Sequence, residues 1–196
     1  MKKLTITAAT LSAVALLAGC GNDGSAGHEN MPGMSASAPA SEQAEANQTD
    51  ITFAQSMIPH HEQAIDMAEL AADRTMNKDV IDLAKQVEQA QGPEVKTMKQ
   101  WLDQWGAGMQ MQHGGGHGGM PGMMSDQDMT MLAHAKGAEF DRMWLRMMIE
   151  HHEGAIEMAR TELKDGAYPA AQQMARAIID GQQSEIDTMT KLLKQS

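Results

Sequence analysis

Met57–Ala68 reads MIPHHEQAIDMA and Met148–Ala159 reads MIEHHEGAIEMA; nine of the twelve positions are identical, at a constant offset of 91. The register continues on both sides without a gap. Asp50 matches Asp141, and Phe53 matches the aromatic Trp144. Downstream, Ala84 matches Ala175, Val87 matches Ile178, Gln91 matches Gln182, Glu94 matches Glu185 and Met98 matches Met189. Each repeat, 50–105 and 141–196, has the length of a hairpin of two long helices. Strand alternation is nowhere sustained. Two such hairpins predict an all-α four-helix bundle with approximate two-fold symmetry.

Local signals place the helices. The first is expected from Asp50 to Arg74, bent or loosened at Pro59. Asn77 caps the second, which runs to about Trp105 with Gly92-Pro93 as a kink. Ser125–Asp128 has the form of a capping box and opens a short helix to about Lys136. The third long helix covers Ala138 to Leu163. Pro169 suits the first turn of the fourth, which ends near Lys194.

The chain begins MKKLTITAATLSAVALLAGC. Lys2 and Lys3 precede an apolar run from Leu4 to Ala18, the pattern of a secretory signal. Leu17-Ala18-Gly19-Cys20 resembles a bacterial lipobox, which implies cleavage before Cys20 and lipidation of its thiol. Residues 1–20 are thus expected to be removed, 21–49 to form a Gly/Ser/Ala-rich tether, and 50–196 to form the bundle. The lipid would anchor the domain in the cell envelope, outside the cytoplasmic membrane. Cys20 is the only cysteine, so no disulfide can form within one chain and no thiolate remains for metal.

The formal net charge of -11 argues against nucleic acid, which needs a basic patch. Methionine is the compositional outlier, with 20 residues against three Trp, two Phe and one Tyr. Met fills helical cores, but it has no core to fill in glycine-rich loops. One such loop, 106–124, reads GAGMQMQHGGGHGGMPGMM and carries Met109, Met111, His113, His117, Met120, Met123 and Met124. The tether carries His28, Met31 and Met34, and the tetrapeptide MPGM occurs in both places. Flexible backbone displaying thioethers and imidazoles can wrap a soft ion. The bland alternative is low-complexity drift, or surplus Met acting as an oxidant sink.

In a helix, residues three, four and seven apart share a face. Met57, His60 or His61, Ala64 and Met67 form one stripe; Met148, His151 or His152, Ala155 and Met158 form its twin. Symmetric packing would bring the stripes together. Imidazole with thioether suits copper as Cu(I) or Cu(II), and silver could compete at the thioethers. Glu62 and Glu153 follow the His pairs and are candidates to orient a histidine or to serve as oxygen ligands. The plain alternative makes the Met core and the His internal hydrogen-bond partners, in a structural or interaction module. Four His and two Glu at matched positions are costly to bury without a purpose, which favours metal. His134 stands alone, and Trp101, Trp105 and Trp144 read as core or interhelix anchors.

Enzyme patterns are missing. No Glu stands three residues before His60, His61, His151 or His152, as di-iron bundles require. H-E-x-x-H and C-x-x-C-H are absent, and no nucleophile elbow is recognisable. A bundle with Met and His axial ligands could still hold haem, the weakest alternative.

The repeated core M-I-x-H-H-x-x-A-I-x-M-A resembles the bacterial domain of unknown function 305 family. So does Phe140-Asp141-Arg142-Met143-Trp144-Leu145 in the second copy. The resemblance covers about residues 50–196. It implies a ferritin-like four-helix bundle, and some members are periplasmic copper-binding proteins. The carry-over reaches Met57, His60, His61 and Met67, and Met148, His151, His152 and Met158. Glu150 stands where the first copy has Pro59, so the halves need not be identical in geometry. The expectation is a non-enzymatic, lipid-anchored copper-binding protein that sequesters the ion or passes it to a copper-handling partner; self-association is left open.

Overall fold

The computed structural model describes residues 45–109 and 119–195. Six helices are found among them, and no strand: α1 Gln48–Glu69, α2 Ala71–Arg74, α3 Lys78–Gln104, α4 Asp126–His134, α5 Gly137–Asp165 and α6 Pro169–Leu193. The first repeat supplies α1 to α3 and the second supplies α5 and α6. Packing is closest within each hairpin, α1 on α3 and α5 on α6, and the hairpins meet mainly through α1 and α5. This is the expected four-helix bundle, with α4 as a short crossing element. Cys20, His28, Met31 and Met34, and Met111, His113 and His117, lie outside the described residues.

The helix ends follow local chemistry. Asn47 caps α1 by accepting from the Thr49 and Asp50 amides, and the Asp50 carboxylate returns a bond to the Asn47 N–H. This box starts α1 two residues earlier than the apolar pattern suggested. Replacing Asn47 by alanine should cost about 1 kcal/mol in a denaturant melt, the usual worth of such a cap. Ser125 and Asp128 form the expected reciprocal box of α4. Pro169 opens α6. The expected single helix from Asp50 to Arg74 is divided at Leu70, beyond which α2 makes one short turn. Pro59 and Pro93 both lie inside continuous helices. In each case the flanking turns are held by packing along the bundle, which outweighs the one donor that proline removes.

α1 and α5 run antiparallel, and their contacts keep one register. Trp144 Nε1 donates to the Met67 carbonyl at 2.9 Å, while at the other end Phe53 and Met158 line the same groove. The core therefore falls into two apolar clusters, one around Met67, Trp144 and Met148, the other around Phe53, Met57 and Ala155. The His pairs sit midway along both helices, where the two clusters meet.

The matched aspartates tie each hairpin to the other's turn. Asp50 accepts from the Ala167 and Tyr168 amides at 3.1 and 2.9 Å, in the α5–α6 turn. Asp141 accepts from Asn77 Nδ2 at 3.0 Å, in the turn before α3. Trp101, Trp105 and Tyr168 stack edge and face at one end of the bundle, so two of the three tryptophans are interhelix anchors and Trp144 is core. No helix among the described residues is long and apolar enough to cross a membrane.

Candidate metal centre

His60, His61, His151 and His152 are all fully buried, and the antiparallel packing of α1 on α5 brings them together. The rings of His60 and His151 touch across the pseudo-two-fold axis, with centroids 3.8 Å apart and planes inclined at 41°. His151 and His152 lie 6.5 Å apart. The outer two rings are held identically. His61 Nε2 meets Glu94 Oε2 at 2.8 Å, and His152 Nε2 meets Glu185 Oε2 at 2.7 Å. Glu94 and Glu185 are themselves a matched pair of the repeat, carried on α3 and α6.

These contacts choose the tautomers. A carboxylate only accepts, so the Nε2 of His61 and of His152 carries the hydrogen. His60 Nε2 lies 3.0 Å from the Pro121 carbonyl oxygen, which also only accepts. In the neutral ring each of these three histidines then keeps its lone pair on Nδ1. All four Nδ1 atoms are buried without a hydrogen-bond partner, and so is Nε2 of His151. Burial, with repulsion from the neighbouring histidines, holds His60 down to about 3 and His151 well below the usual imidazole range. Both are therefore neutral donors at any physiological pH.

Unpaired buried nitrogens cost stability, which is why nearly all such groups in folded proteins find partners. Five in one place fit a soft metal ion whose binding supplies the missing partner. Among the described residues no group of three or more His, Cys, Asp or Glu is disposed to hold a metal. The candidate donors are the imidazole nitrogens of the His60–His151 pair, with the buried Met57 and Met148 one turn along the same helices. Such a set suits a soft ion of low coordination number and not a hard cation that demands many oxygens.

The expected orienting role of Glu62 and Glu153 is not what the structure shows. Both point out of the bundle, and Glu62 pairs with Lys99 at 2.6 Å on the surface. The residue after a core histidine lies a third of a turn away, so the carboxylates that reach the rings come from the partner helices instead. Met57 and Met148 are fully buried one turn before His60 and His151. Met67 and Met158 lie two turns beyond, roughly 10 Å along the axis, and pack beside Trp144 and Phe53. The four therefore differ: Met57 and Met148 lie within the apolar clusters one turn from the histidines, Met67 lies deeper in the core, and Met158 is half-buried at the groove. Of the loop residues described, Met109 is exposed, Met120 and Met123 are half-buried and Met124 is buried in the core. His134 is exposed on α4, its Nδ1 donating to the Thr130 carbonyl.

Residues missed by pattern reasoning include Pro121 and the matched Gln91 and Gln182. Both glutamines are buried with no partner for either side-chain amide atom. Their signal was present, since a polar residue repeated in register inside an apolar helix face is unusual.

The family model for domain of unknown function 305 (DUF305) matches residues 50–193. The chain belongs to the DUF305 family. Among solved structures, a DUF305 fragment from Deinococcus radiodurans is 31% identical, with a TM-score of 0.71, covering 77% of this chain and 99% of that one. A DUF305 protein from Streptomyces coelicolor is 33% identical, with a TM-score of 0.70, covering 75% and 91%. CopM in its Cu(II)-bound form is 33% identical, with a TM-score of 0.65, covering 74% and 96%. CopM has also been solved with Cu(I) and with silver, and in an apo form. No curated protein matches the chain. The all-helical DUF305 fold is thus shared across these proteins.

Proposed function

We propose that this DUF305 protein is an exported, lipid-anchored copper-binding protein. It holds Cu(I), with silver as a competitor, at the buried His60–His151 pair flanked by His61 and His152. The observation that carries this is the set of buried imidazoles with unpartnered Nδ1 atoms, two of them oriented by a carboxylate in the manner of metal-binding histidines. The copper- and silver-bound forms of CopM support the choice of metal. Export rests on Lys2-Lys3, the apolar run and Leu17–Cys20, and the Streptomyces coelicolor relative carries a description as secreted.

The role we infer is sequestration or transfer of the ion. Glu94 and Glu185 keep the hydrogen on Nε2, and the core excludes water and other donors. The His- and Met-bearing segments at 28–34 and 106–124 would collect the ion from dilute solution. The structural alternative is favoured by the packing of Met67 and Met158, but it leaves five buried nitrogens without a role.

The test is a titration of the purified protein with Cu(I) against a chelator of known affinity. Glu94→Gln with Glu185→Gln keeps the shape and removes the charge. The pair should weaken binding by about 10- to 100-fold, the usual cost of losing an orienting carboxylate. Affinity equal to the parent's would exclude the bundle site and leave only the segments at 28–34 and 106–124.

A further inference from the structure

One turn breaks the two-fold symmetry of the centre. Met120-Pro121-Gly122-Met123 closes with the Met123 amide on the Met120 carbonyl at 3.2 Å, and Gly122 has φ 75°. Proline second and a left-handed glycine third are what such a turn requires. It is seated on α1 and α5 at once. Gln63 Nε2 donates to the Met124 carbonyl at 2.9 Å, and Gln63 Oε1 accepts from the Met124 amide at 2.8 Å. On α5 the turn lies directly on Gly154: a Cβ there would collide with the Pro121 carbonyl and stand 2.7 Å from Gly122 N. A Cβ on Gly122 would stand 2.6 Å from the Glu150 carbonyl oxygen.

Gln63 and Gly154 are repeat mates, and they are one of only three mismatches in the twelve-residue motif. The duplication has diverged where the turn sits. The consequence falls on the other central pair of mates. His60 is bonded to the Pro121 carbonyl, whereas His151 has no partner on either nitrogen.

We infer that the Met120–Met123 turn is a displaceable cover over His60, through which a soft cation enters the central His60–His151 pair. Its attachment is polar, through His60 and through Gln63 at the adjoining Met124. Pro121 is exposed, and Met120 and Met123 are only half-buried, so the turn buries little apolar surface of its own. Segments of that kind open locally at small cost. When the turn lifts, His60 Nε2 loses its acceptor and the ring becomes free to change tautomer. The cover itself carries two thioethers at the rim, donors of the right softness to hand an ion inward. What enters depends on the copper assignment; that the turn covers His60 does not.

The test needs no metal. Diethyl pyrocarbonate modifies accessible neutral imidazoles, and mass spectrometry reads each histidine separately. Gly154→Ala unseats the turn by collision, and Gln63→Ala removes both bonds to Met124 without any collision. In both variants the modification rate of His60 should rise by roughly tenfold or more, because access follows local opening. His61 and His152 should keep the parent's rate. A His60 rate unchanged in both variants would overturn the inference. So would an equal rise at all four histidines, because the turn would then brace the whole bundle. A faster His60 in a protein that binds no Cu(I) leaves the cover standing and sinks the copper assignment alone.

Discussion

Replacing His151 by leucine should make the metal-free protein more stable while it removes tight copper binding. The two side chains have similar volume, and the site is fully buried. His151 brings two nitrogens into the core with no partner for either. A buried polar group left unpaired costs about 1–3 kcal/mol, and an apolar replacement of the same shape removes that cost. Thermal or denaturant melts of the metal-free proteins should therefore show His151→Leu ahead of the parent by roughly 1–3 kcal/mol. Cu(I) affinity should fall by about 100-fold or more, the loss of one of few ligands in a soft site. A structural role predicts the opposite sign: a histidine that holds the fold together destabilises it when removed. A variant that melts below the parent would favour that role.

Stability of the metal-free protein should pass through a maximum near pH 6.5 and decline on both sides. On the acid side, burial and the neighbouring histidines hold His60 at about 3 against 6.5 in the open chain, and His151 also stays low. Below pH 6.5 the unfolded chain takes up protons on these rings that the folded chain refuses. Acid therefore destabilises, by about 1.4 kcal/mol per pH unit for each histidine. On the alkaline side the group is Glu162, fully buried beside the groove lined by Phe53 and Met158. Burial, then the Asp50 carboxylate beside it, push it from 4.5 up to about 8. The folded carboxyl keeps its proton where the unfolded one has lost it. That stability is fully present below pH 4.5 and disappears as pH rises towards 8. Between 4.5 and 6.5 two histidines outweigh one glutamate; above 6.5, among the described residues, the shift that acts is that of Glu162. The expected decline from pH 6.5 to 8 is roughly 1–2 kcal/mol, allowing for screening by water in the groove. Glu162→Gln should flatten that limb and steepen the acid one, as read from urea midpoints across pH. An alkaline limb that persists in the variant would assign it elsewhere.

The duplicated motif made most of the bundle readable before any coordinates. The offset of 91 predicted two hairpins, and Asn77, Ser125 and Pro169 marked helix starts where the structure has them. The Asn47 box and the break at Leu70 were hidden, because neither disturbs the apolar periodicity that was followed. The four central histidines were visible as a pair of pairs. Their orienting carboxylates were misassigned to Glu62 and Glu153 because adjacency along the chain is not adjacency in a helix bundle. The register already matched Glu94 to Glu185, 33 residues beyond His61 and His152 in both halves, but partner-helix contacts require the hairpin geometry. The seat of the Met120–Met123 turn was written in the mismatch of Gln63 with Gly154. A mismatch acquires meaning only when something is seen to rest on it.

X-ray absorption at the copper edge, on protein loaded with less than one equivalent of Cu(I), tests the central claim most directly. A site at the His60–His151 pair predicts imidazole nitrogen scattering in the parent, lost in His151→Leu at the same loading. A shell of sulfur alone, unchanged by the substitution, would contradict it and assign the ion to the methionines outside the bundle's centre.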